Sequence, residues 1–153
     1  MEDPYDLERF VTAQNAGGTY GQALAELGSG MKRSHWMWFV FPQLAGLGRS
    51  ETARRYAIAS LEEARAYCRH GVLGPRLVAA AAAVAALRGR SAVQIFGDID
   101  ARKLHSSMTL FHRAAPGEPV FSDVLDRYFD GVPDPATGQL LAGEPAGPDA
   151  DQV

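Results

Sequence analysis

Pro75-Arg76-Leu77-Val78-Ala79-Ala80-Ala81-Ala82-Ala83-Val84-Ala85-Ala86-Leu87-Arg88 is the stretch that decides the fold class. Alanine is the best helix former, and Pro75 stands where a helix tolerates it, so this run predicts a helix from Arg76 to Arg88. Alanines also let neighbours approach closely, which makes this helix the expected centre of the molecule. Gly71 to Gly74 break the pattern before it and Gly89 breaks it after. Moving towards the N-terminus, Ser60 with Glu63 is a capping-box pattern that opens a helix through His70, and Ser50 caps one through Ile58. Leu44 to Arg49, with Gly46 and Gly48, reads as a turn. Moving towards the C-terminus, Ser91 to Phe96 reads either as a short helix or as an extended piece. Asp98 then caps a helix in which Leu104, Met108 and Phe111 make an apolar stripe, while Asp100, Lys103 and Ser107 share the other side. Pro116 to Pro119 is a loop. Phe121, Val124, Leu125, Tyr128 and Phe129 form a last amphipathic helix, opened near Ser122 and closed by Gly131.

The N-terminal third reads the same way. Asp3 as N-cap and Pro4 at the first helical position predict a helix that carries Leu7, Phe10, Val11 and Gln14 on one face and ends at Gly17-Gly18. Thr19 with Gln22 suggests a second capping box, followed by Ala23, Leu24 and Leu27 before Gly28 and Gly30. Ser34 to Gln43 holds both tryptophans, and its periodicity does not choose between helix and strand. Ser34 as a cap and Pro42 as a stop favour a buried helix. Sheet-type alternation and internal repeats are absent. The expected fold is all-α, a compact single domain of seven or eight short helices over residues 1–141, followed by a disordered acidic tail over 142–153.

Composition agrees with one globular domain: 153 residues, 46% of them hydrophobic and 22% charged, bury enough surface to need neither metal nor disulfide. The lone Cys68 makes no internal disulfide and reads as a buried structural thiol. An acidic start without a signal-type apolar core argues against secretion, and no apolar run approaches the about 18 residues of a membrane span. A reducing cytoplasm is therefore expected. The net charge of −3 conceals a strong asymmetry. Residues 1–30 carry one base and five acids, residues 31–113 thirteen bases and five acids, and residues 114–153 one base and eight acids. Such a basic middle either holds an anionic ligand or is neutralised by the acidic ends. An acidic chain without clustered Lys/Arg argues against nucleic acid as the partner.

Two clusters carry chemistry. Lys32, Ser34, His35, Trp36 and Trp38 combine a cation, an imidazole and two aromatic faces, which suits anion binding, proton transfer and stacking. The alternative is that Trp36, Trp38, Phe39 and Phe41 are core, with His35 at its rim. Asp98, Asp100, Lys103, His105, Ser106 and Ser107 surround one helix start, where free N–H groups attract a phosphate and Lys103, Ser106 and Ser107 can assist. Here the alternative is that Asp98 only caps, and that Asp100 and Arg102 are surface charges. Four dispersed histidines and one cysteine give no zinc spacing, so neither metal nor cofactor is expected. Walker, Rossmann and nucleophile-elbow motifs are also missing. Any site shared by the two clusters requires that they meet in space.

The string Lys32-Arg33-Ser34-His35-Trp36-Met37-Trp38-Phe39-Val40-Phe41-Pro42-Gln43-Leu44, with Gly46-Leu47-Gly48 and the later Lys103-Leu104-His105-Ser106-Ser107-Met108-Thr109-Leu110-Phe111, resembles the uncharacterised bacterial domain-of-unknown-function family 1810. The likeness runs from about Leu7 to about Thr137. It implies a mainly helical single domain without an assigned activity. The calpastatin label often attached to such sequences does not fit, because calpastatin is a disordered inhibitor and this chain has a strong apolar complement and helix caps. A looser similarity, in the order Ala13-Gln14, small-residue helix, Trp36, long helix and Ile-x-Gly-x-x-Asp stretch, is to NADAR-type ADP-ribose glycosidases. That similarity implies Asp98 or Asp100 at an oxocarbenium-like centre, His35 as acid to the leaving group, Lys32 and Lys103 on the pyrophosphate and Trp36 stacked on a ring. The expected function is thus binding of a phosphorylated nucleoside-type ligand, with N-glycosidic hydrolysis as the candidate reaction. Catalytic candidates are His35, Asp98 and Asp100; ligand-binding candidates are Lys32, Ser34, Trp36, Lys103, Ser106 and Ser107. A non-catalytic protein-interaction module is the alternative.

Overall fold

In a computed structural model that describes residues 3–143, the alanine-rich run lies within helix Leu73–Ala86, which buries Leu77, Ala80, Ala81 and Val84. In chain order the helices are α1 (Glu8–Asn15), α2 (Thr19–Ser29), α3 (Met37–Val40), α4 (Glu51–Arg55), α5 (Leu61–Arg69), α6 (Leu73–Ala86), α7 (Ala92–Phe96), α8 (Asp98–Ala114), α9 (Pro119–Phe129) and α10 (Pro135–Leu141). A 3-10 turn, Ala16–Gly18, joins the first two. The fold is all-α, and among the described residues the nearest thing to a sheet is an isolated parallel bridge between Leu44 and Ile58. The helices outnumber the expected seven or eight because α10 follows the helix expected to be the last and residues 92–96, open between helix and extended chain, form α7. The tail expected over residues 142–153 lies, beyond Gly143, outside the described residues.

Helices α6 and α8 are the two axes of the molecule, and α5 and α9 each pack against both. Helix α2 closes on α6, while α7 and α10 lie along α8. The tight α5–α6 corner depends on Gly74, whose Cβ, if it had one, would stand 2.2 Å from the Cys68 carbonyl oxygen. Two buried polar ties hold α1 in place. Arg9 donates to Glu63 Oε2 at 2.9 Å and to the Ala57 carbonyl at 2.7 Å. Gln14 donates to the Phe39 carbonyl at 2.7 Å and accepts from Arg76 at 3.2 Å.

Local sequence signals fare unevenly. Ser50, Ser60 and Ser91 each cap a helix by accepting a bond from a backbone N–H, and Ser91 with Gln94 completes a capping box that resolves residues 92–96 as helical. Asp3 caps from a distance: its carboxylate accepts from Leu7 and Glu8 at 2.8 and 2.9 Å, which lowers its pKa, and α1 opens at Glu8 rather than at Pro4. Thr19 forms no capping box, since Gly18 in the left-handed conformation precedes α2 and the Thr19 hydroxyl donates to Ala16 O. The Ser34–Gln43 stretch is mostly irregular, with a single turn of helix at Met37–Val40 and no cap from Ser34. Asp98 is the first residue inside α8, and Gly97, at φ 82°, is the residue outside it. Pro119 rather than Ser122 opens α9.

Candidate functional site

The irregular segment before α3 hangs on one carboxylate. Glu26 of α2 is 8% exposed and accepts from the backbone N–H groups of Arg33 and Ser34, from the Ser34 hydroxyl and from the Trp36 indole N–H at 2.9 Å. Burial opposes its charge, but these hydrogen bonds prevail and hold its pKa down at about 2. Folding the segment this way carries Lys32 to α8. Its ammonium lies 2.8 Å from Asp100 Oδ2, and its backbone N–H donates to the Ile95 carbonyl at 2.8 Å. The other oxygen of Asp100 lies 3.2 Å from Lys103, whose ammonium sits 4.0 Å from the centroid of the Trp38 ring. The chain Lys32–Asp100–Lys103–Trp38 therefore joins the two clusters.

Beyond this chain an open cleft of about 680 Å³ lies between the 43–50 turn, the first half of α8 and the start of α10. Its cations are Arg49, Arg102 and Lys103, and its apolar walls come from Trp38, Leu47 and Ile99. Gln43, Ser50, His105, Ser106 and Asp134 add polar groups. With three cations against one carboxylate, the walls attract an anion. Asp134 caps α10 by accepting from Thr137 N and Oγ1 at 3.1 and 2.7 Å, and it also accepts from Ser106 Oγ at 3.2 Å. His105 stacks flat on Phe129 at 4.2 Å, with Nε2 2.7 Å from the Val132 carbonyl oxygen. A carbonyl only accepts, so Nε2 is the donor in this bond. Among the described residues no group of three acidic, histidine or cysteine side chains is placed to hold a metal ion. No helix among them is long and apolar enough to cross a membrane.

The family model for a protein of unknown function, DUF1810, matches residues 4–141. The chain belongs to the DUF1810 family. A similar solved structure is that of the conserved hypothetical protein Rv1873 from Mycobacterium tuberculosis, 52% identical, with 92% of this chain and 99% of that one covered and a TM-score of 0.89. No curated protein matches. Neither similarity assigns an activity, and neither bears on the likeness to NADAR-type glycosidases.

Against this geometry the residues singled out in the DUF1810 sequence divide into three groups. Lys103 and Ser106 stand on the cleft walls. Lys32 and Asp100 stand one layer behind, with side chains 7% and 19% exposed, and fix Lys103 in place. The remaining five lie elsewhere. Trp36 is 1% exposed and its indole is spent on Glu26, as is the Ser34 hydroxyl, so the ring that faces the cleft is that of Trp38. Ser107 is fully buried, on the core side of α8. His35 and Asp98 are exposed but outside the cleft walls. Sequence reasoning passed over Gln43, Arg49 and Asp134 as site residues. Of these only Asp134 leaves a readable signal: an aspartate directly before Pro135 is a helix-start pattern.

Proposed function

We propose that this DUF1810 domain binds a small nucleotide-type anion in the cleft between Trp38 and the N-terminal half of α8. The observation that carries the reading is the pairing, on one concave surface, of an aromatic ring with three cations, Arg49, Arg102 and Lys103. Such walls hold a phosphate at the guanidinium groups and a planar ring against the indole. Turnover of that ligand, N-glycosidic cleavage of an ADP-ribose-like substrate included, would fall to His105 and Asp134. They are the cleft's histidine and its carboxylate. Asp100 is occupied between two ammonium groups and takes no part. A cytoplasmic setting suits the single thiol of Cys68, which burial pushes up to a pKa of about 11, far from a reactive thiolate.

The test is ligand-dependent stability and fluorescence with AMP and ADP-ribose. Binding raises the melting temperature with ligand concentration and perturbs the emission of half-buried Trp38, and the effect weakens with salt. Replacing Arg102 and Lys103 together by alanine should remove it. An unchanged melting temperature and unchanged emission across both ligands at millimolar concentration refute the assignment.

A further inference from the structure

Three buried side-chain polar atoms among the described residues make no hydrogen bond: Gln43 Nε2, Ser107 Oγ and His112 Nδ1. Of these residues Gln43 is the one on the walls of the cleft. It belongs to the wall of the main cleft and to that of an adjoining hollow of about 190 Å³ beneath the 44–48 turn. The residue is 6% exposed. Its position is not an accident of a loose loop. The Gln43 carbonyl accepts from Ile58 N at 2.8 Å, and Ala45 N donates to Ile58 O at 2.7 Å, which pins the main chain on both sides. Gln14 shows what the same fold does with a buried glutamine that serves structure: its carboxamide bonds with Phe39, Tyr67 and Arg76. The Gln43 amide nitrogen has no such partner inside the protein, although apolar side chains of similar volume would fill its place without that penalty.

The groups around Gln43 change character with depth. Arg49 and Arg102 are exposed, Trp38 is half-buried, and Leu47 and Gln43 are buried. The two guanidinium groups are thus the most exposed of these, and the neutral carboxamide is among the most buried groups of the cleft wall. We propose that Gln43 is the ring-reading residue of the cleft: its carboxamide hydrogen-bonds the polar edge of a heteroaromatic base lodged against Trp38, while Arg49 and Arg102 hold the phosphate. A carboxamide presents a donor and an acceptor in one plane and, turned about its last bond, offers either to the ligand, which matches the paired donor and acceptor on a base edge. The ligand class is then a nucleoside phosphate, as opposed to a sugar phosphate or free phosphate. This inference rests on the reading of the cleft as a nucleotide-type site.

Equilibrium binding of the four nucleoside 5′-monophosphates, ribose 5-phosphate and inorganic phosphate, followed by calorimetry on the full chain, tests it. At least one monophosphate should bind about tenfold more tightly than ribose 5-phosphate, and Gln43→Leu should remove most of that margin while leaving ribose 5-phosphate affinity within about twofold. Gln43→Met serves as a second variant with unbranched packing, and both should melt no lower than the parent. Gln43→Glu, which keeps the acceptor and loses the donor, should reorder the preference among bases. A monophosphate that binds the Leu and Met variants as tightly as the parent overturns the role of Gln43, as does a ribose 5-phosphate affinity equal to that of every nucleotide. In both of those cases the cleft survives as an anion site. If none of the six probes binds, the nucleotide reading of the cleft falls and the role of Gln43 falls with it.

Discussion

Two buried polar side chains bracket the segment that shapes the cleft, and they are treated in opposite ways. Glu26, at its start, accepts four hydrogen bonds from Arg33, Ser34 and Trp36. Gln43, at its end, is buried to a similar degree and leaves its amide nitrogen unpartnered. A carboxylate that accepts four hydrogen bonds from its own chain holds a shape. A buried carboxamide nitrogen without a partner in its own chain does nothing to fix a shape. The first residue is architecture, and the second is the residue to which we assign a ligand contact.

That contrast is best broken at its stronger end. Glu26→Ala should cost on the order of 3 kcal/mol, read as a lower urea midpoint, because it leaves two backbone N–H groups, a hydroxyl and an indole N–H without their acceptor. The same group sets an acid limit. Its pKa is about 2 in the folded protein and near 4.5 when free, so its contribution is complete above pH 4.5 and disappears as the pH falls towards 2. Glu26→Gln should flatten that part of the stability–pH curve while lowering stability at neutral pH. A smaller loss, about 2 kcal/mol, is expected for Asp100→Ala, which strips a nearly buried Lys32 of its counter-ion, and Lys103 should then hold its place over Trp38 less firmly. Thermal unfolding and the Trp38 emission maximum measure the two consequences. The smallest effect sharpens the comparison: Gln43→Met should leave stability unchanged or raise it by up to about 1 kcal/mol, because it removes an unpaired polar group at nearly constant volume. A loss as large as that of Glu26→Ala would place both residues in the same structural class.

How far the sequence could be read depended on whether a residue's partner was local. Ser50 and Ser60 reach only three residues along the chain, so their caps were visible in the sequence, whereas the equally local cap of Ser91 opens a helix of five residues, too short for a periodicity that tells it from an extended piece. The same dipeptide, Asp-Pro, shows where such reading stops. At Asp134-Pro135 it opens α10 as helix-start chemistry dictates, with Asp134 as cap and Pro135 in the first turn. At Asp3-Pro4 it does not, because the Arg9 guanidinium binds the carbonyls of Tyr5 and Asp6 and holds the preceding residues as a turn, with Asp6 at φ 51°. Which tryptophan faces the cleft was illegible for a similar reason. A helix of four residues has no periodicity, and Trp36 is turned inward by Glu26, a partner ten residues away on another helix. Lys103 was readable as a polar-face residue because α8 is long enough to have faces, but the same periodicity put Ser107 beside it, and the structure buries Ser107 and sets Ser106 on the cleft wall. Gln43 and Arg49 lie in a turn, where no repeat marks which side chain points where.

The bridge at Leu44 and Ile58 has a consequence for how this scaffold can diversify. The chain leaves the helical body after Leu44 and re-enters at Ile58, beside its own point of departure, with two backbone hydrogen bonds closing the neck. Residues 45–57 are thus an excursion closed at its neck and tied back to α1 where Arg9 donates to the Arg55 and Ala57 carbonyls, and they contribute Leu47, Gly48, Arg49 and Ser50 to the cleft while the opposite wall belongs to α8. Lengthening a loop whose ends are already tied costs little conformational entropy. One half of the cleft is therefore a replaceable cassette. Exchanging it between homologues would change the outer wall of the cleft, Arg49 included, and leave Trp38 and Gln43 in place.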